Sequence, residues 1–179
     1  MGPAKKDELK AFLRPNLVGA YCGAAAAVIG IVASFFATFP GGILLLFLLI
    51  AVIFAAKPLL QLWEMNSFWT DAGKDGSLAA VQEDYENGMK PMNGKVRIGQ
   101  TYVMGKGCVV PTKLDAIEQV YEYVRKTNGA ESKHQLLMRL KDGEKRILCE
   151  MVPGKRDPEG VLSVFAAIKQ KQPDVKIGA

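Results

Sequence analysis

One histidine and three cysteines in 179 residues leave little material for metal or nucleophile chemistry. Cys22, Cys108 and Cys149 form no CxxC pair, and His134 stands alone. A zinc site takes three or four Cys, His or carboxylate ligands at recognisable spacings, so neither a metal site nor a cofactor is expected. Ser77, Ser132 and Ser163 lie outside any nucleophile-elbow motif, and no two carboxylates are spaced for acid–base work. His134, within a predicted strand, reads as a solvent-facing polar residue. Nothing identifies an enzyme. Charge is the more informative absence: residues 17–39, 23 in a row, carry none, and neither do residues 43–56.

A helix needs about 20 apolar residues to cross a hydrocarbon core of roughly 30 Å, so the first run suffices. The second spans if Lys57 snorkels towards the headgroups and Trp63 sits in the interfacial aromatic belt. Buried helices of a soluble core are the alternative, but no polar stripe interrupts either run, as it would in such helices. A cleaved signal peptide is disfavoured by the length of the first run and by poor small-residue placement around Ala33-Ser34-Phe35-Phe36-Ala37. Lys5, Lys6, Lys10 and Arg14 precede the first run and Lys57 follows the second, while the turn Phe39-Pro40-Gly41-Gly42 is uncharged. Basic residues collect on the cytoplasmic side. The expected anchor is a two-span hairpin over residues 17–63 in the cell membrane, with both termini in the cytoplasm and residues 1–16 as a cytosolic segment.

The first run is rich in small residues. Gly19, Gly23 and Ala27 recur at every fourth position, as do Ala26, Gly30 and Ser34, and such spacing lets helix backbones approach closely in lipid. Gly19, Gly23, Ala27 and Gly30 are the expected packing positions. They receive the bulky second span or, alternatively, a second chain. Neither run has an ionisable residue within it, which argues against transport by this pair alone.

From Asn66 onward the chain has 18 Lys+Arg and 15 Asp+Glu, an excess of +3 within the overall +5. The excess is scattered, with no aromatic-interleaved basic stripe, so no nucleic acid partner is expected. Odd, unpaired cysteines fit reduced thiols in the cytosol. Residues 66–76 read as a polar linker. Ser77 reads as the N-cap of a short amphipathic helix over 78–85, with Leu78, Val81 and Tyr85 on one face and Asn87-Gly88 as its stop; linker and helix together cover 64–92. Residues 95–104 alternate as one strand, Gly105-Lys106-Gly107 turns the chain, and Cys108-Val109-Val110 is extended up to Pro111. Met104-Gly105-Lys106-Gly107 lacks the spacing of a phosphate-binding loop. Residues 114–127 are ambiguous. Leu114, Ile117, Val120, Tyr121 and Val124 keep helical spacing, yet the segment is rich in β-formers and precedes the hairpin dipeptide Asn128-Gly129. Residues 134–140 and 145–152 read as strands joined at Asp142-Gly143. Asp157 caps a final helix that begins at Pro158 and stops before Pro173, with Val161, Leu162, Phe165 and Ile168 as its apolar face.

Antiparallel strands closed by one C-terminal amphipathic helix resemble the bacterial pleckstrin-homology-like (PH-like) domain, found in small two-span membrane proteins. The resemblance rests on the run Val96 to Met104, on Val109-Val110-Pro111 leading to Ile117-Glu118-Gln119-Val120-Tyr121, on residues 136–143 and on the last helix. It covers residues 93–172. It implies that 117–127 is a strand and that a bent antiparallel sheet is capped by the helix, giving an α+β domain over 93–179. The pattern is one strand short of the full complement, and no catalytic signature comes with it.

Three functions are compatible with this layout. One is a membrane-anchored, non-enzymatic binding or scaffold protein whose cytosolic domain meets a protein or inner-leaflet lipid headgroups. Another is a small accessory subunit of a larger membrane complex, and the third is an enzyme without a recognisable motif. Lys106, Lys141, Lys145 and Arg146, at or near predicted turns, are the candidate contacts to anionic lipid or a partner, since basic residues near a negative leaflet contribute about 1 kcal/mol each. Ordinary solvated loop charge is the competing explanation.

Overall fold

The computed structural model describes residues 3–13, 17–36, 40–106, 108–155 and 157–178. Arg14, Phe39 and Gly107, which the sequence reading places in a charge flank and two turns, lie outside the described residues, as do the side chains of Lys5 and Lys6. The chain divides into two units: Pro15–Ser67, and Met1–Arg14 together with Phe68–Ala179.

The first unit is helical. Helix α2, Val18–Ser34, has 17 residues, about 26 Å at 1.5 Å each. It is shorter than the 23-residue run because it starts after Leu17 and tightens into a turn at Phe35. Helix α3, Pro40–Asp75, runs unbroken for 36 residues through Lys57 and Pro58. It therefore absorbs residues 66–75, expected as a linker. Only Ala72 and Lys74 among them are strong helix formers, but the helix already under way supplies the nucleus, so each further residue adds a hydrogen bond without the cost of starting one. Among the described residues one helix is long and apolar enough to cross a membrane: its most apolar stretch has a mean hydropathy of 2.8, and 6 % of that stretch is buried.

The second unit is α+β. Helix α1, Pro3–Phe12, precedes the apolar runs, and α4, Ser77–Asn87, follows α3. Ser77 is not the cap but the first helical residue. Gly76, at φ 77°, takes the capping position with a left-handed backbone that interrupts the helix, and the Asp75 carboxylate accepts from the Ser77 N–H at 2.9 Å. Strands β1, Val96–Ile98, β2, Tyr102–Gly105, and β3, Thr112–Lys113, form one antiparallel sheet. The single strand expected over 95–104 is thus folded back on itself at 99–101, and residues 108–110 are not strand, with a bend at Val109 and Val110. A 3-10 turn at Leu114–Ala116 leads into β4, Ile117–Thr127, which resolves the ambiguous segment as strand. Its helical spacing is a by-product of burial at one end only. Strand β5, Ala130–Leu140, returns through Asn128 and Gly129, both at positive φ as a two-residue hairpin turn requires. Strand β6, Lys145–Met151, completes the meander, and helix α5, Pro158–Lys171, follows with Asp157 capping the Gly160 N–H at 2.9 Å. Strand β7, Lys176–Ile177, comes after the helix and pairs parallel with β4, giving the order β6-β5-β4-β7.

The main core lies between the sheets and α5, around Val96, Ile98, Val103, Ile117, Leu136, Met138 and Leu148. The inward face of α5 is Val161, Val164, Ala167 and Ile168. Leu162, expected there, is 63 % exposed, and Phe165 is only partly buried at the core margin. The helical spacing was right but its phase was rotated towards Val164. A second cluster joins Leu9 of α1 and Leu13 just after it to Val81 of α4 and to Tyr102 and Met104 of β2. β2 is consequently buried on both faces, with Val103 turned to one core and its neighbours to the other. Gly105 ends β2 where a Cβ would overlap the Leu148 carbonyl of β6, so the two sheets meet through backbone at this point.

Candidate functional site

In the helical unit, the small positions of α2 face α3. A Cβ at Gly19 would stand 2.9 Å from the Phe54 carbonyl, and one at Gly23 2.8 Å from that of Ala51. At Gly30 it would overlap the Phe47 side chain. Ala27 is half-buried. The order of these contacts runs the two helices in opposite directions. Backbones this close allow many weak dispersion contacts, the main source of helix association in lipid. The outward surface is apolar: Val18, Tyr21, Val28, Phe35, Leu45 and Trp63 are all exposed.

In the α+β unit, the residue that organises the most backbone is Asp84. It is 6 % exposed, and its carboxylate accepts from the N–H groups of Gln100 (2.8 Å), Thr101 (2.8 Å) and Tyr102 (2.7 Å). Three convergent amides form a nest that holds an anion, here supplied by the chain itself. Gly99 is required beside it, since a Cβ there would overlap the Asp84 side chain. The nest explains why 95–104 bends: an α4 carboxylate binds the turn's donors more strongly than a continued ladder would.

Arg97 lies against two aromatic faces, 4.7 Å from the Tyr85 centroid and 5.8 Å from that of Phe12. Lys10 similarly approaches Trp69 at 5.7 Å. Arg97 lines a cavity of about 210 Å³ with Glu8, Tyr85, Glu86 and Lys90. A second cavity, about 160 Å³, lies beside Asp84, Gly99 and Lys171. Both are smaller than the roughly 300 Å³ at which small-molecule sites begin, and the first mixes carboxylates with cations. The sequence signal for α1 was the i, i+3, i+4 spacing of Leu9, Phe12 and Leu13, which reads only as a flank until a surface exists to receive it.

His134 is buried at 2 % exposure, contrary to its reading as solvent-facing. It lies on the core-facing side of β5 with Leu136 and Met138, because strand alternation fixes its face regardless of polarity. Its Nε2 meets Glu122 Oε1 at 2.5 Å, while Nδ1 has no hydrogen-bond partner. Among the described residues no group of three or more His, Cys, Asp or Glu could hold a metal. Burial pushes the Cys108 thiol up to about 11 and raises that of Cys149, so both favour the neutral thiol, which is a poor nucleophile.

The four candidate basic residues do not share one environment. Lys141 and Lys145 flank the β5–β6 turn with Asp142 and Glu144 between them, all exposed. Arg146 is held by Glu144 through two contacts of 3.0 Å. Lys106 follows β2, its N–H donating to the Lys95 carbonyl at 2.8 Å. No family model, curated protein or solved structure matches the chain.

Proposed function

We propose that this chain is a membrane-anchored, non-enzymatic binding or scaffold protein that presents its α+β unit to a protein partner or to inner-leaflet lipid. The observation that carries the reading is the apolar stretch of α3, which packs against α2 along one side yet has only 6 % of its length buried. Water makes such a surface costly, at about 25 cal/mol for each Å² of apolar area, and lipid removes that cost. In this reading α2 is the second span. Its 17 helical residues reach about 26 Å, slightly less than the core thickness, and local thinning or the flanking aromatics accommodate the difference. The flanking basic residues support an orientation with both termini in the cytoplasm.

The α+β unit is read as PH-like. That reading is supported by an antiparallel three-stranded sheet and the antiparallel β4–β5–β6 meander, which meet at Gly105, and by α5 packed on their shared core. The parallel strand β7 after the helix departs from the expected layout. Cavities this small favour recognition by surface rather than by enclosure of a ligand.

Cysteine-accessibility labelling in intact cells tests the anchor. With Cys22 replaced, a cysteine at Gly41 is expected to react from outside, and one at Gly143 only after the membrane is breached. Release of the chain by alkaline carbonate, or the reverse labelling pattern, refutes it. Recovery of a stoichiometric polytopic protein after detergent solubilisation would favour the accessory-subunit reading instead.

A further inference from the structure

Strand β4 has an edge that the chain covers at one end only. β7 pairs with Gln119 and Val120, and the Gly178 N–H donates to the Val120 carbonyl at 3.0 Å. Among the described residues nothing pairs with the outer edge of β4 over 121–127. On the other flank β6 stops at Met151, opposite His134, so the β4–β5 hairpin continues past Val124 as a two-stranded ribbon. Tyr123 and Val124 are 38 % and 36 % exposed. A free edge of seven residues is a template for another strand, and soluble domains usually cover or break one.

Backbone alternation says which groups are on offer. Val120 turns its carbonyl outward to β7. Successive residues of a strand point their N–H and C=O to opposite sides, so Glu122, Val124 and Lys126 also turn theirs outward. The irregularity near Arg125 and Lys126 places the extra residue, Ser132, on β5 and leaves β4 regular.

We propose that this edge pairs antiparallel with the same edge of a second copy of the chain, with the two-fold axis at Val124. Three observations choose this occupant and this register. Val124 is the midpoint of the uncovered stretch 121–127, so the pairing uses its full length and stops short of β7. It is also an outward-bonding position, so each copy's Val124 exchanges both hydrogen bonds with the other's. The side chains are self-complementary about it: Glu122 falls opposite Lys126 of the second copy on one face, and Tyr123 opposite Arg125 on the other. Each symmetric pair occurs twice, as an isologous interface requires. Moving the axis to Tyr123 sets Glu122 opposite Val124 and drives Lys126 into Val120, which β7 already occupies. Lys126 thus discourages pairing with unrelated strands and meets an opposite charge in a copy in this register, while Arg125 lies beside the Tyr123 ring.

The test uses the full chain, with Cys22→Ala, in detergent micelles. Light scattering across a concentration series is expected to show a monomer–dimer equilibrium, and Val124→Cys is expected to cross-link under mild oxidation. Lys126→Glu sets like charges opposite each other twice and should raise the dimer dissociation constant about tenfold or more. The swap Glu122→Lys with Lys126→Glu restores both charge pairs across the axis but gives up the Glu122–His134 contact, so it should recover a large part, not all, of the lost affinity. Val124→Pro removes an N–H that points only to the open edge, so the dimer should be lost while far-UV circular dichroism is unchanged. A chain that stays monomeric throughout, or a dimer indifferent to both Lys126→Glu and Val124→Pro, overturns the proposal. So does a Val124→Cys chain that fails to cross-link, or a monomer whose β4 edge is protected only by a different protein.

Discussion

Asp84→Ala should destabilise the α+β unit more than any other single polar substitution. The carboxylate is one acceptor serving three donors, and the three lose it unequally. The Tyr102 N–H belongs to a buried residue and would be left without a partner, a loss of about 1–3 kcal/mol. Gln100 and Thr101 are exposed, so their N–H groups can return to water, losing a net ~0.5–1.5 kcal/mol each. Together this is roughly 2–6 kcal/mol, against the ~5–15 kcal/mol that holds a typical domain folded. Urea unfolding of the full chain in micelles, followed by near-UV circular dichroism, measures it. Asp84→Asn should lose less, since the amide keeps one acceptor oxygen but turns a donor towards donors. Faster exchange of the Tyr102 amide should accompany both substitutions. A loss for Asp84→Ala below about 1 kcal/mol would refute the assignment of the 99–101 turn to this carboxylate.

On α5, Ile168→Ala should cost about 2–5 kcal/mol because the side chain is completely buried, whereas Leu162→Ala should leave the urea midpoint nearly unchanged. A hydrogen-bonded and ion-paired Glu118, held by Arg139 and then Lys176, keeps its pKa below the ordinary value of 4.5. Its contribution is therefore full above about pH 4.5 and disappears as pH falls through the lower folded value. The Gly178 amide, bonded beside it at β7, should lose exchange protection over that acid range and regain it on neutralisation. Cys108 should resist thiol reagents at pH 8, where about one thousandth of it is thiolate, until denaturant exposes it. Gly30→Leu should separate α2 from α3, read as weaker disulfide trapping between cysteines placed along the two helices.

Residues that punctuate the chain were legible because their physics is local. Asp157-Pro158 starts α5, Asn128-Gly129 turns β4 into β5, and Asp142-Gly143 turns β5 into β6, each from backbone preferences that need no neighbour. Charge-free runs determined two apolar helices in the same way, since nothing in their composition lets them face water. Sequence also left 114–127 undecided, and it could not do otherwise. Val and Ile at helical spacing serve either structure, and only pairing with β5 selects the strand.

What tertiary structure alone decided are the features that depend on a partner distant in the chain. The Asp84 nest folds 95–104 back on itself from a helix more than a turn away in sequence, so alternation misread two short strands as one. His134 is buried because register puts it inside, next to Glu122, and a side chain's polarity does not choose its face. Leu9 and Leu13 become core only because Tyr102 and Met104 offer a second apolar face. The open stretch of β4 is likewise invisible in the sequence. Which strand lies at an edge, and for how many residues, follows from β7 stopping after two pairs, a fact of assembly rather than of composition.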